Sequence, residues 1–176
     1  DTLNGSTGFD VLAVVNPGDG VLVPGNDTMK GGIDPDYIAG GSGHDIIEVG
    51  PANDYILSDF EGASGLVDGF DLISGDDGND VIYAGAETNA STSDTSNNII
   101  TGGSGSDAIY GSVGDDDILG RDAGPESDES DTLVGYGGDD DIRGQEGDDF
   151  LYGGDGNDNI QGGDGADYVL AGNNDD

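Results

Sequence analysis

An aspartate recurs about every nine residues along this chain, and an apolar residue follows each one except Asp176 two positions later. The aspartates are Asp1, Asp10, Asp19, Asp27, Asp36, Asp45, Asp54, Asp71, Asp80, Asp107, Asp116, Asp131, Asp140, Asp149, Asp158, Asp167 and Asp176, and Asn98 stands once in the same place. The chain has no cysteine and a single histidine, so the row offers oxygen donors without nitrogen or sulfur. That set suits a hard divalent cation. Calcium takes six to eight oxygens at about 2.3–2.6 Å. All of these aspartates except Asp1 and Asp19 are candidate calcium ligands.

Nothing in the pattern points to catalysis. His44 lies inside the turn GGSGHD and is read as a solvated turn residue. Ser104, in GGSGSD, follows the same turn pattern and is not a nucleophile. Neither an HExxH metal motif nor a GxSxG elbow is present. The segment is therefore not read as an enzyme.

The elements that position the carboxylates are clearest from Gly153 to Leu170, which reads GGDGNDNIQ and then GGDGADYVL. Numbered one to nine, the unit has glycine at positions one, two and four, aspartate at six and an apolar residue at eight. Gly40, Gly41 and Gly43, Gly102, Gly103 and Gly105, Gly153, Gly154 and Gly156, and Gly162, Gly163 and Gly165 belong to complete turns. Glycine accepts positive φ, so such turns can be tight and can aim carbonyls inward as further ligands. Three strand residues span only about 10 Å before the chain must reverse. Two units make one eighteen-residue coil, and stacked coils make two short parallel sheets. Position eight points into the gap between them and positions seven and nine point outward. Tyr37 and Tyr55, both at position seven and one coil apart, are expected to stack. The same step sets each turn beside the next-but-one, so calcium ions would lie in a row along each edge. An EF-hand is excluded, because the glutamate that closes its loop is missing.

The repeat is imperfect. Insertions are expected near 58–65, 84–92 and 120–125, in loops between strands. One unit near Asn16 is a residue short. Val49 to Asp54, Gly31 to Asp36 and Val14 to Asp19 are worn turns. Asn98, neutral and without its glycines, is expected to bind weakly or not at all, and the turn from Ser127 to Asp131, without glycine, is doubtful. Acidic residues at positions three and five (Asp115, Asp139, Asp148, Asp155, Asp164) either join the sites or raise the local calcium concentration. Asp1 lacks a preceding turn and Asp176 a following strand, so the chain is expected to be a segment of a longer polypeptide.

Composition agrees. Only 32% of residues are apolar, against roughly 45–50% in globular domains. There are 39 acidic residues against three basic ones, Lys30, Arg121 and Arg143, for a formal charge of -36. Such a chain cannot fold unaided. It has no basic face for nucleic acid and no apolar run long enough to span a bilayer. The unit buries about one side chain, worth roughly 1.5–3 kcal/mol, against about 1–2 kcal/mol for each ordered residue. Metal binding must make up the deficit, so the chain is expected to be disordered without calcium and folded with it.

The unit GGxGxDxUx resembles the RTX, or hemolysin-type, calcium-binding repeat of secreted bacterial proteins. The resemblance implies an all-β, right-handed parallel β-roll over residues 1–176 with calcium rows along its turns. It implies a secreted or cell-surface location and folding outside the cell. Two roles fit: a structural piece of an adhesin, surface layer or extracellular fibre, or the calcium-binding tail of a secreted enzyme or toxin. Partners would be calcium, neighbouring domains of the same chain, or further copies bridged by calcium. An ice-binding surface would need a regular outward row of Thr and Asn, yet only Thr7 stands at position three.

Overall fold

Glycine-rich hexapeptides cannot sustain a helix, and the triplet after each aspartate alternates outward, inward, outward, which is the period of a strand. The computed structural model describes residues 2–13, 25–58, 69–85, 95–120 and 129–173, and there the triplets form sixteen strands. Eleven have three residues: β1 (Thr2–Asn4), β2 (Val11–Ala13), β3 (Thr28–Lys30), β4 (Tyr37–Ala39), β5 (Ile46–Glu48), β6 (Tyr55–Leu57), β7 (Leu72–Ser74), β8 (Val81–Tyr83), β9 (Ile99–Thr101), β10 (Ala108–Tyr110) and β11 (Asp117–Leu119). The last five have six: β12 (Thr132–Gly137), β13 (Asp141–Glu146), β14 (Phe150–Asp155), β15 (Asn159–Asp164) and β16 (Tyr168–Asn173). Odd strands build one eight-stranded sheet and even strands the other, with parallel pairing such as Tyr37↔Tyr55 and Ile142↔Ile160. The fold is an all-β parallel β-roll.

Position eight fills the gap between the sheets. Met29, Ile38, Ile47, Ile56, Ile82, Ile100, Ile109, Ile118, Leu133, Ile142 and Leu151 are fully buried in one apolar line. Val169 departs from the expectation and is 45% exposed, because β16 is the outermost strand of its sheet and pairs only with β14.

The register measures the insertions. Uninterrupted coils step by 18 residues, as between Asp36 and Asp54. The step is 26 from Asp45 to Asp71, 27 from Asp80 to Asp107 and 24 from Asp107 to Asp131. These exceed one coil by eight, nine and six residues. Three described residues expected to lie in the insertions keep their place in the coil instead. Ser58, Ala84 and Gly120 stand at position one, and their N–H groups bond Tyr83 O, Tyr110 O and Arg143 O of the next coil. A fourth step of 26 separates Asp10 from Asp36. There β1 pairs directly with β3, and β2 with β4, so the half-coil expected around Asp19 and Val21 does not stand between them. Residues 14–24 lie outside the described residues.

The longer strands have a related cause. From Asp131 onward the coils step by 18, so turns as well as triplets lie residue over residue. Pairing then continues through Tyr136↔Gly154 and Gly137↔Asp155.

The two outer faces differ. All seven tyrosines lie on even strands, one on each from β4 to β16. Tyr37 and Tyr55 stack as expected, with centroids 5.3 Å apart and planes 8° apart. The file continues from Tyr55 to Tyr83 (5.9 Å), Tyr110 (4.7 Å) and Tyr136 (6.4 Å). The odd sheet carries charge outward. Lys30 pairs with Glu48, and Arg143 pairs with Asp117 at 3.3 Å and Asp141 at 2.5 Å.

Candidate metal centre: two rows of turn carboxylates

Because strands alternate between sheets, turns alternate between two edges. The first edge joins odd to even strands and carries Asp10, Asp36, Asp54, Asp80, Asp107, Asp131, Asp149 and Asp167. The second joins even to odd strands and carries Asp27, Asp45, Asp71, Asn98, Asp116, Asp140 and Asp158. Asp1, Asp19 and Asp176 lie outside the described residues.

Along each edge the position-six residues are tied in series. The N–H of each donates to Oδ1 of its counterpart in the next coil. On the first edge this runs from Asp10 to Asp167, and on the second from Asp27 to Asp158, at 2.7–3.1 Å. Asn98 keeps its place, accepting from Asp71 N at 3.0 Å and donating to Asp116 Oδ1 at 2.7 Å. An amide oxygen accepts an N–H as a carboxylate does, so the ladder survives the loss of charge. Asp131 is tied in as well, despite its turn without glycine near it in sequence. Its position-one glycine is Gly120, beyond the insertion.

The ladder uses Oδ1; Oδ2 accepts Ser6 N at Asp10 and Ser112 N at Asp116, and in other turns it is left over. Oδ2 of Asp36, Asp45, Asp54, Asp80, Asp140 and Asp149 is buried and receives no hydrogen bond. A buried carboxylate oxygen without a partner is costly, and the six recur along both edges, four on the first and two on the second. Position one explains where they point. A β-carbon on Gly40 would fall 2.5 Å from Asp45 Oδ2 and 2.7 Å from Ser58 O of the next coil. On Gly111 it would fall 2.5 Å from Asp116 Oδ2 and 3.0 Å from Gly135 O. A carboxylate oxygen and a carbonyl oxygen thus converge on a space that one methyl group would fill.

The glycines divide by function. Those at positions two and four have left-handed φ, as at Gly41 (103°) and Gly43 (128°). Asp76, Tyr136 and Gln145 adopt the same conformation at position two, with φ of 66°, 78° and 84°, at a cost of about 1–3 kcal/mol each. Position one has no such φ, and where glycine stands there it leaves space; Val49, at position one of the turn of Asp54, fills that space instead and joins the apolar cluster. Gly31, Gly75, Gly111, Gly120, Gly135 and Gly144 occupy it as Gly40, Gly102, Gly153 and Gly162 do. The sequence signal was available in part: the first glycine persists in the worn turn that opens at Gly31, while Val49 replaces it in the turn that ends at Asp54.

Position five forms a second ladder that sequence reasoning missed. Asn26 Oδ1 accepts His44 N, and Asn53 accepts Asn79 N. Asp115 accepts Asp139 N, Asp139 accepts Asn157 N and Asp148 accepts Ala166 N. These exposed acidic residues brace neighbouring turns. His44 takes part in the same way, with Nδ1 accepting Phe70 N at 2.9 Å.

Electrostatics make a metal-free row unfavourable. Burial pushes Asp45 up to about 7, Asp54 to about 6, and Asp80 and Asp140 to about 8. The N–H groups they accept pull the other way. Carboxylates on the same edge push further up: Asp27 on Asp45, Asp36 on Asp54, Asp107 on Asp80 and Asp116 on Asp140. A cation between turns would oppose both desolvation and repulsion. Among the described residues no three carboxylate or imidazole side chains converge on one point. The donor set is carbonyls plus one carboxylate per turn, which suits an oxygen-seeking ion and not zinc.

A family profile described as the RTX calcium-binding nonapeptide repeat matches residues 23–56, 67–89, 92–122, 127–160 and 143–176. No curated protein matches the chain. Repeats of this family bind calcium, several ions per array, and the buried oxygens, the methyl-sized spaces and the all-oxygen donor set fit that ion. The chain belongs to the RTX calcium-binding nonapeptide repeat family.

Proposed function

We propose that this segment is the calcium-folded structural roll of a secreted or cell-surface bacterial protein, serving as a scaffold of the adhesin, surface-layer or fibre type. Residues 1–176 act as one roll, and its ligands are the position-six aspartates with the carbonyls of the turns. The observation that carries this is the row of buried Oδ2 atoms, unpartnered at Asp36, Asp45, Asp54, Asp80, Asp140 and Asp149. Lys30 and Arg143 pair with acids on the odd sheet, away from these turns, so the charge is left to a metal. In a calcium-poor compartment the row repels itself, and at about 10⁻⁴–10⁻³ M calcium, the range of extracellular modules, it closes. Every described strand belongs to the repeat, which favours a scaffold. A catalytic domain in the same polypeptide would instead make the roll the tail of a secreted enzyme or toxin.

The test is far-UV circular dichroism during a calcium titration from an EDTA-treated start. A cooperative rise of β signal that equal magnesium does not reproduce is expected. A chain already folded in EDTA would sink the coupling of folding to calcium.

A further inference from the structure

The first edge carries one side chain at position one, Val49, but keeps its aspartate, Asp54; the second edge departs at one place in both respects, and three residues are responsible. Two consecutive turns there carry side chains at position one, Ser58 and Ala84, and the latter turn ends in Asn98 in place of aspartate. Both Ser58 and Ala84 are fully buried, and Ala84 has joined the apolar cluster.

Each change acts on the space where the ion would sit. Ser58 Oγ donates to Ala84 O at 2.6 Å. The direction is certain, because a carbonyl only accepts. Elsewhere the position-one carbonyl takes a backbone N–H, as Ser58 O does from Gly41 N and Gly120 O from Gly103 N, with a second lone pair left for a metal. The Ser58 hydroxyl takes one lone pair of Ala84 O, and its side chain stands in the space that glycine leaves open at this position. At the following step, the Ala84 methyl is the β-carbon that the glycines at this position omit. The amide of Asn98 is oriented by its neighbour. Asp71 N–H needs an acceptor, so Oδ1 faces it, and Nδ2 lies where the aspartates carry Oδ2. Nδ2 is buried and receives no partner. Two N–H donors thus face a position that elsewhere offers only lone pairs.

We propose that the calcium row of the second edge is interrupted at the two steps flanking Asn98, where the protein's own hydroxyl, methyl and amide replace the ion. The row is then two blocks, one built on Asp27, Asp45 and Asp71 and the other on Asp116, Asp140 and Asp158. They load calcium separately on that edge, while the first edge retains an aspartate in every described turn. This inference rests on the calcium reading above.

Native mass spectrometry of the 176-residue chain in saturating calcium tests it by counting ions. Asn98→Asp alone restores the charge but leaves both spaces filled, so it is expected to bind as many ions as the parent. The triple variant Ser58→Gly, Ala84→Gly, Asn98→Asp is expected to bind two more. An extra ion in the single variant, or none in the triple, would overturn the interruption while leaving calcium binding intact. A parent chain that binds no calcium would overturn both. Should the triple variant lose its β signal, Ala84→Gly with Asn98→Asp decides: one added ion supports the interruption and none overturns it.

Discussion

Adding a single methyl group at Gly40 would remove an ion without touching a carboxylate. The β-carbon of Gly40→Ala would stand 2.5 Å from Asp45 Oδ2 and 2.7 Å from Ser58 O, where carbon and oxygen ordinarily keep about 3.4 Å or more. The overlap, about 0.9 Å with the carboxylate oxygen and about 0.7 Å with the carbonyl, forces them apart and costs about 1–3 kcal/mol as overpacking does elsewhere. The ion at that step is lost too. A ligand present at a hundredfold its dissociation constant contributes about 2.7 kcal/mol, so the summed loss in calcium is about 4–6 kcal/mol. Without calcium only the steric part remains. Gly8→Ala is the control. Gly8 has φ of 94° and open space around its β-position, so its cost is about 1–2 kcal/mol of backbone strain, with no ion lost. Denaturant unfolding in saturating calcium, with ion counting by native mass spectrometry, reads both. If Gly40→Ala binds as many ions as the parent and unfolds at the same denaturant concentration, the space at position one is not the metal cradle.

Other consequences can be measured as directly. Asp140→Asn should preserve the ladder, as Asn98 does, yet lower the ion count, and an unchanged count would exclude Asp140 as a ligand. The pH dependence has a definite sign. Between about pH 4 and pH 8 the metal-free roll holds protons on Asp80 and Asp140, each pushed up to about 8 by burial, that the unfolded chain has released at its carboxyl pKa of about 3.9. The metal-free roll therefore loses stability as pH rises through that window, whereas calcium, which displaces those protons, binds more tightly. Calcium titrations near pH 5.5 and pH 8 should show the weaker midpoint at the lower pH, and equal midpoints would contradict the buried row. Ile109→Ala, at the centre of the apolar line, should cost about 2–5 kcal/mol in calcium, measured by the unfolding midpoint; a cost under about 1 kcal/mol would mean that the line does not pack.

The fold was largely legible in the sequence because period and chemistry coincide. Ile38, Ile47 and Ile56 recur at nine, so coil length, sheet count and core line followed from spacing alone. What spacing could not resolve was where a worn stretch leaves the coil. Ser58, Ala84 and Gly120 look like insertion residues, since the aspartates of their turns lie beyond the loops, and only their ladder bonds place them at position one. The unit at Asp19 lies outside the described residues, and the flanking strands pair β1 with β3 and β2 with β4. The ligands were visible as aspartates. The distinct duties of the glycines were not, because left-handed φ and empty space both read as the letter G. Position five was missed because its work is done by one oxygen shared among Asn, Asp and His, which no composition rule groups together.

The single file of tyrosines on the even sheet makes the protein its own optical gauge. There is no tryptophan to mask them, and from Tyr37 to Tyr136 successive rings lie 4.7–6.4 Å apart, one for each coil. Rings at that separation exchange excitation, and they do so only while their coils are stacked. Near-ultraviolet dichroism and fluorescence depolarisation therefore report how many coils have closed, without an added label.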